Sequence, residues 1–206
     1  KFATGLNFTY DKYSEFVNLS DVSRIDNSVG AFFEYTFDNN NKFSYILGGR
    51  FDYHNRLGAF FTPRLHVRYN PWEKSVFRFS AGRGKRAANI YAENQQLFGS
   101  SRVFSVLDVD GKIYGLNPEI AWNYGISFTQ NFLLFGKSAD MTLDFYRTDF
   151  QNQAIVDVMQ SPQQVLFYNL NGDSYANSLQ IDFNYEIIKH FNLRTAYKYY
   201  DISTDY

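Results

Sequence analysis

The feature that most constrains this chain is an alternation with a period of two residues, repeated along nearly its whole length. Phe2, Thr4, Leu6, Phe8 and Tyr10 share one parity, and Ala3, Gly5, Asn7, Thr9 and Asp11 the other. Successive side chains of a strand point to opposite faces, so the segment has one large apolar face and one small polar face. The alternation returns at residues 29–37, 43–53, 65–69, 77–82, 122–129, 140–145, 178–185 and 193–199. Helical spacing fits none of these segments as well. They amount to about nine strands of roughly 10 residues, the length a tilted strand needs to cross a bilayer.

Composition sharpens the choice between architectures. Aromatic residues make up 20% of the chain, yet mean hydropathy is −0.39. Many bulky apolar groups within a polar average require strict separation of the two kinds. A soluble sandwich turns its apolar faces inward against a second sheet, whereas a membrane barrel turns them out to lipid. No apolar run approaches the ~18 residues of a membrane-crossing helix, which says nothing against a barrel. The absence of cysteine excludes disulfide frameworks and thiolate zinc sites. A formal net charge of −1 with no basic arm gives no footprint for nucleic acid.

The connections carry an independent signal. A long polar connection at 12–27 is followed by a short turn at 38–41, a medium loop at 54–61 and a turn at 70–73. Then come a very long loop at 84–119, a connection near 131–138, a loop near 157–173 and a turn near 189–190, so that long and short mostly alternate. In an up-and-down meander, odd and even connections lie at opposite rims. Short turns inside and long loops outside are the outer-membrane arrangement. Tyr10, Phe37, Tyr53, Tyr69, Trp72 and Trp122 stand near strand ends, where an interfacial aromatic girdle belongs. The expected fold is all-β: a transmembrane antiparallel up-and-down β-barrel, of which these are nine to ten strands. Bacterial single-chain barrels use even strand numbers. Residues 1–206 are therefore expected to be part of the wall of a larger barrel.

Several stretches in order resemble the barrel of TonB-dependent outer-membrane receptors, especially Bacteroidetes-type members. They are residues 28–37 (SVGAFFEYTF), 45–55 (YILGGRFDYHN), 62–70 (TPRLHVRYN), 77–85 (FRFSAGRGK), 116–125 (LNPEIAWNYG), 143–157 (LDFYRTDFQNQAIVD) and 177–185 (NSLQIDFNY). Asn117 stands where the family more often has Lys. The resemblance implies a barrel of about 22 strands with a plugged lumen. It also implies TonB-energised import of a scarce nutrient such as a metal chelate, cobalamin or an oligosaccharide. The implied partners are TonB, engaged through a plug domain outside this segment, and, as in some members of the family, a surface lipoprotein. The C-terminal strand is also expected to lie outside 1–206. Outer-membrane lipid, lipopolysaccharide and the nutrient itself complete the expected partners, in the bacterial outer membrane.

Candidate functional residues fall in the longest loop and at its base. Gly82-Arg83-Gly84-Lys85-Arg86 lacks the spacing of a phosphate loop. It reads instead as a basic cluster at the outer rim that could meet an anionic ligand or lipopolysaccharide. Tyr91, Asn94, Gln95, Phe98 and Arg102 supply the aromatic, amide and guanidinium mixture that grips polar ligands. The expected ligand contacts are thus Arg83, Lys85, Arg86, Tyr91, Asn94, Gln95, Phe98 and Arg102. Arg50, Arg64, Arg68, Arg78 and Arg194 share lumen parity with Asp52, Asp144 and Asp182 and are expected to pair with each other and with a plug. Asp108-Val109-Asp110-Gly111 resembles the opening of a calcium loop but lacks the Glu at its twelfth position, so turn chemistry explains it better. His54, His66 and His190 follow no metal-ligand spacing. Ser100 and Ser101 have no histidine nearby in sequence, so no catalytic constellation is expected and no cofactor or metal is implied. The alternatives are a small porin or barrel enzyme, and a soluble all-β adhesin.

Overall fold

The computed structural model describes residues 1–17, 20–39, 42–107 and 110–205, with Ser20 described by its backbone. Asn40 and Asn41 of the predicted turn, and Asp108 and Val109 of the calcium-like stretch, lie outside the described residues. In chain order the strands are β1 (Phe2–Tyr13), β2 (Phe16–Val17), β3 (Ser20–Asp21), β4 (Arg24–Asn39), β5 (Phe43–His54), β6 (Gly58–Tyr69) and β7 (Ser75–Arg86). After a 3-10 segment at Ala92–Gly99 come β8 (Val103–Val106), β9 (Glu119–Leu134), β10 (Lys137–Asn152) and β11 (Ala154–Asp157). The last three are β12 (Gln164–Asn169), β13 (Ser174–Ile188) and β14 (Phe191–Thr204).

Nine of these strands form one sheet in the order β1-β4-β5-β6-β7-β9-β10-β13-β14. Every neighbouring pair is antiparallel, so the wall is an up-and-down meander that has not closed on itself. The long connections β1–β4, β7–β9 and β10–β13 all emerge at one rim, which also carries the short β5–β6 turn, and the other four connections, all short, lie at the opposite rim. The short rim is built from tight turns. Phe135 and Gly136 both take positive φ, +50° and +75°, between β9 and β10. This is the two-residue geometry whose twist matches flanking strands.

The register places the predicted apolar parity on the outer face without a covering layer. Leu6 is 84% exposed, Phe8 71% and Ile126 49%. Nine apolar residues are buried among those described, and Ala139 alone of them belongs to the nine-stranded sheet. A soluble sandwich would show the reverse, a dry core between two sheets. The outer face is a surface for hydrocarbon, and each wall strand is long enough to span it. Aromatic clusters mark its lower edge: Phe37 stacks on Tyr45 at 5.3 Å, and Trp72 joins Phe77 and Phe128 at 6.2 and 6.1 Å.

The inner face is packed by a repeated cross-strand device. Glu34, Gly48 and Arg64 form one row across β4, β5 and β6, and the Arg64–Glu34 ion pair lies over the glycine. Ser80, Gly125 and Tyr146 form another such row, with the tyrosine ring over the glycine. Asn7, Gly30 and Asp52 form a third, where a methyl group on Gly30 would overlap the Asp52 carboxylate. Gly30→Ala is therefore expected to cost about 1–3 kcal/mol, by the penalty for overpacking. The urea midpoint of the barrel in detergent reads this directly, and Gly84→Ala, where nothing lies within 4 Å, is the matched control.

Several boundaries differ from the sequence reading: the connection read near 131–138 is the turn 135–136, and β1 runs to Tyr13 and β4 begins at Arg24 inside the connection read at 12–27. The medium loop at 54–61 is only the turn 55–57, because β6 starts at Gly58. The adjacent Phe60 and Phe61 break the expected alternation of size. Both nevertheless belong to the strand, Phe60 facing in and Phe61 facing out opposite Phe51. The loops at 84–119 and 157–173 also contain strands of their own, β8 and β12.

Candidate functional site

The long connections fold together into a cap above one end of the wall. β8, from the β7–β9 connection, pairs in parallel with β12, and β12 pairs antiparallel with β11. This three-stranded sheet covers the principal apolar core of the molecule: Ala88, Ile90, Leu116, Val165 and Phe167. Val165 and Phe167 are 0% and 1% exposed. Tyr91, Leu97, Phe104 and Tyr114 pack against the core. Tyr91 meets Tyr114 edge-on at 4.9 Å, and Phe98 meets Phe104 edge-on at 4.7 Å. Edge-to-face rings at these separations add attraction beyond area burial. Phe167→Ala should loosen the cap by about 3–5 kcal/mol, seen as faster cleavage of the cap by added protease while the wall stays intact.

An ionic network ties the first long connection to this cap. The Arg24 guanidinium donates from Nε to Asp26 at 2.9 Å and from Nη1 to Glu15 at 3.4 Å. It stands between the rings of Tyr13 and Tyr114, 4.0 and 4.5 Å from their centroids. Arg56 binds the other oxygen of Asp26 at 2.9 Å and the Lys112 carbonyl at 3.1 Å. The Tyr114 hydroxyl donates to Glu15, and Asn89 Nδ2 donates to the other Glu15 oxygen at 2.8 Å. Burial and the bond to Glu15 push the Tyr114 phenol well above its ordinary value, against a smaller opposing pull from Arg24. It therefore stays a donor at neutral pH.

The eight predicted ligand residues are divided between the upper end of wall strand β7 and this cap rather than gathered in one place. Arg83 has outer-face parity, and its Nε donates to Gln151 at 3.2 Å. Lys85 reaches the Leu57 carbonyl at 2.9 Å and lies over the Phe60 ring. Arg86 is held by Glu119 at 2.6 Å and Glu93 at 3.1 Å. Asn94 donates to the Ile90 carbonyl at 2.8 Å, and Arg102 to the Val158 carbonyl at 2.8 Å, so both brace the cap. Tyr91, Gln95 and Phe98 line a hollow of about 210 Å³ with Glu15, Phe16 and Val17. Sequence reasoning missed Phe16, which is 71% exposed beside this hollow.

Below the cap, the lumen face carries the predicted charges. Arg50 pairs with Asp52 at 2.7 Å and Arg194 with Asp182 at 3.0 Å, alongside the Arg64–Glu34 pair. Arg68 and Arg78 stand directly opposite each other and, with His66, Asp144 and Tyr146, line a concavity of about 770 Å³. Among the described residues, no three His, Cys, Asp or Glu side chains converge as a metal site would need.

The family model for the TonB dependent receptor-like β-barrel matches residues 2–206. The chain belongs to this family. As a TonB-dependent receptor barrel it also resembles solved structures throughout the wall. The siderophore receptor PirA from Pseudomonas aeruginosa aligns with 99% of this chain and 39% of its own, at 15% identity and TM-score 0.67. The copper transporter OprC aligns with 98% of this chain and 36% of its own, at 12% identity and TM-score 0.71. A mutant ferric enterobactin receptor from Pseudomonas aeruginosa, solved with enterobactin, aligns with 86% and 27%, at 15% identity and TM-score 0.62. The chain thus spans between about a quarter and two fifths of these receptor chains. At such identities the likeness shows the fold. No curated protein matches the sequence.

Proposed function

We propose that this segment forms wall and extracellular cap of an outer-membrane receptor of the Bacteroidetes type that imports a scarce nutrient with energy from TonB. The single observation that carries the reading is the division of the molecule into an uncovered apolar wall and a cap with its own core. Loops on a rigid scaffold are where recognition resides, and here they are folded rather than splayed. The cargo belongs to the class of metal chelates, cobalamin or oligosaccharides, captured by the cap and passed along the charged lumen when a plug is displaced. No covalent chemistry is required of the residues described. A surface lipoprotein over the cap and a plug bearing the TonB contact are the further partners of this reading.

Within the cap, the ligand contacts fall on Gln95 and Phe98 at the hollow beside Phe16. Phe98→Ala is expected to weaken cargo binding about tenfold or more, as removal of an aromatic anchor does. Isothermal titration of the whole receptor with its cargo measures this. The reading itself is tested by uptake into cells carrying or lacking the receptor gene, with each labelled cargo class offered in turn. Uptake that needs the gene, and that a protonophore abolishes, supports it. Gene-dependent uptake that continues without the proton gradient would make the protein a diffusion porin instead.

A further inference from the structure

The wall carries a notch between β6 and β7. Their ladder runs only from Tyr69↔Phe77 to Arg64↔Gly82. Above it, residues 58–63 of β6 stay paired to β5, and residues 83–86 of β7 stay paired to β9. The two strands therefore part for about four residues, roughly 13 Å at the rise of a strand. Pairing stops beside Pro63, which has no N–H to give a ladder. Each flank of the notch thus turns a free strand edge toward the gap.

Free backbone edges are not tolerated in hydrocarbon, so the height of the notch matters. Along β7 the outer face reads Phe77, Phe79, Ala81 and then Arg83 and Lys85. The row through Arg83 continues to Trp122 and Asp149, and Arg147 nearby is paired to Asp149 at 2.7 Å. On β7 and β10 the outer face changes from apolar to polar at this row, whereas β5 and β6 keep Phe51 and Phe61 one row further toward the rim. The notch therefore opens where apolar and polar parts of the outer face meet, with polar partners at hand.

Its two flanks differ in chemistry. On one side stand outward Phe33, Phe51 and Phe61, between 42% and 56% exposed. On the other stands Arg83, bonded to the Gln151 amide, and from the same strand Lys85 reaches across the gap to the Leu57 carbonyl and the Phe60 ring, so the partners of both cations are neutral. At the foot of the notch a hollow of about 420 Å³ draws on Phe33, Gly49, Pro63 and Arg83 from the outer parity and on Arg50 and Arg64 from the inner. Two cations without a carboxylate, beside free backbone donors and an aromatic wall, complement an anionic amphiphile.

We propose that the notch seats a phosphorylated, acylated lipid of the outer leaflet, with Arg83 and Lys85 on a phosphate and an acyl chain along Phe61, Phe51 and Phe33. The proposal rests on the outer-membrane reading above but not on any cargo. The whole receptor, delipidated in mild detergent, is titrated by native mass spectrometry with diphosphoryl lipid A, with dephosphorylated lipid A and with inorganic phosphate as competitor. Binding of the diphosphoryl form is expected to fall about tenfold or more in Arg83→Gln and again in Lys85→Gln, as loss of charge-assisted hydrogen bonds requires. Arg147→Gln, whose cation is already paired, should leave it unchanged. Equal binding by the Gln variants and the unaltered protein, or by the dephosphorylated lipid, would overturn the proposal. So would full displacement by inorganic phosphate, which would show a simple anion site. Hydrogen exchange of the amides at 83–86 in the unaltered receptor must slow when lipid A is added, a readout independent of any variant. Cargo uptake measured on the same preparations separates failure of this site from failure of the import reading.

Discussion

Ile126→Arg is expected to destabilise the barrel by about 2–4 kcal/mol in a bilayer, the cost of a cation at midplane on the lipid face. Ile126 is 49% exposed and lies in one row with Phe79 and Phe145 on the outer face. If water covered that face, the change would shift stability by no more than about 0.5 kcal/mol, as exposed substitutions usually do. The neighbouring parity supplies the control. Thr142 faces the lumen beside Asp144, so Thr142→Arg has water and a carboxylate to meet and should cost little. Urea unfolding of the two variants in lipid vesicles compares them directly. Near-equal midpoints would contradict the assignment of faces.

Arg24→Ala is expected to have a comparable or larger effect, confined to the cap. Arg24 and Asp26 are buried, and Glu15 is 17% exposed at its side chain. Removing the guanidinium leaves Glu15 and part of Asp26 as uncompensated carboxylates between aromatic rings. Breaking one partner of a buried pair costs about 3–5 kcal/mol. Asp26 keeps Arg56, so the lower part of that range applies. Arg24→Lys keeps the charge but loses the planar fork and its stacking on Tyr13 and Tyr114, so it should fall between the two. Limited proteolysis of the whole receptor reads the cap, and the urea midpoint reads the wall. Early cleavage at the first connection with an unchanged wall is the expected pattern. An unchanged protease map would mean that the network contributes nothing to holding the cap.

The wall was legible because each strand carries its own evidence. Parity alone assigned Phe2, Leu6 and Phe8 to one face and Asn7 to the other, and the connection lengths then set which rim faces out. The turn at 55–57 was overestimated because Phe60 and Phe61 are both large, and size alternation hides where a strand begins. The cap was not legible for a different reason. Residues 165–167 form an unbroken apolar run, which fits a strand buried on both faces but also a helix turn or a sticky loop. What decides it is pairing with β8, some sixty residues away in sequence. The site residues suffered most from this. Arg86 looks like a free cation until Glu119 and Glu93 are brought to it, and Arg102 looks like a ligand contact until the Val158 carbonyl meets it. The notch left one mark in the sequence, Pro63 inside a strand pattern, which normally signals an edge.

The most direct test of the account is the environment of alternate residues along β10 in the whole receptor in lipid vesicles. The segment contains no cysteine, so single cysteines placed at positions 140 to 145 can each carry a spin label. Collision rates with oxygen, which concentrates in hydrocarbon, and with a water-soluble nickel chelate are then compared. The account predicts that labels at 141, 143 and 145 meet oxygen and those at 140, 142 and 144 meet the chelate, in strict alternation. Labels that report water on both parities, or shielding on both, would contradict it.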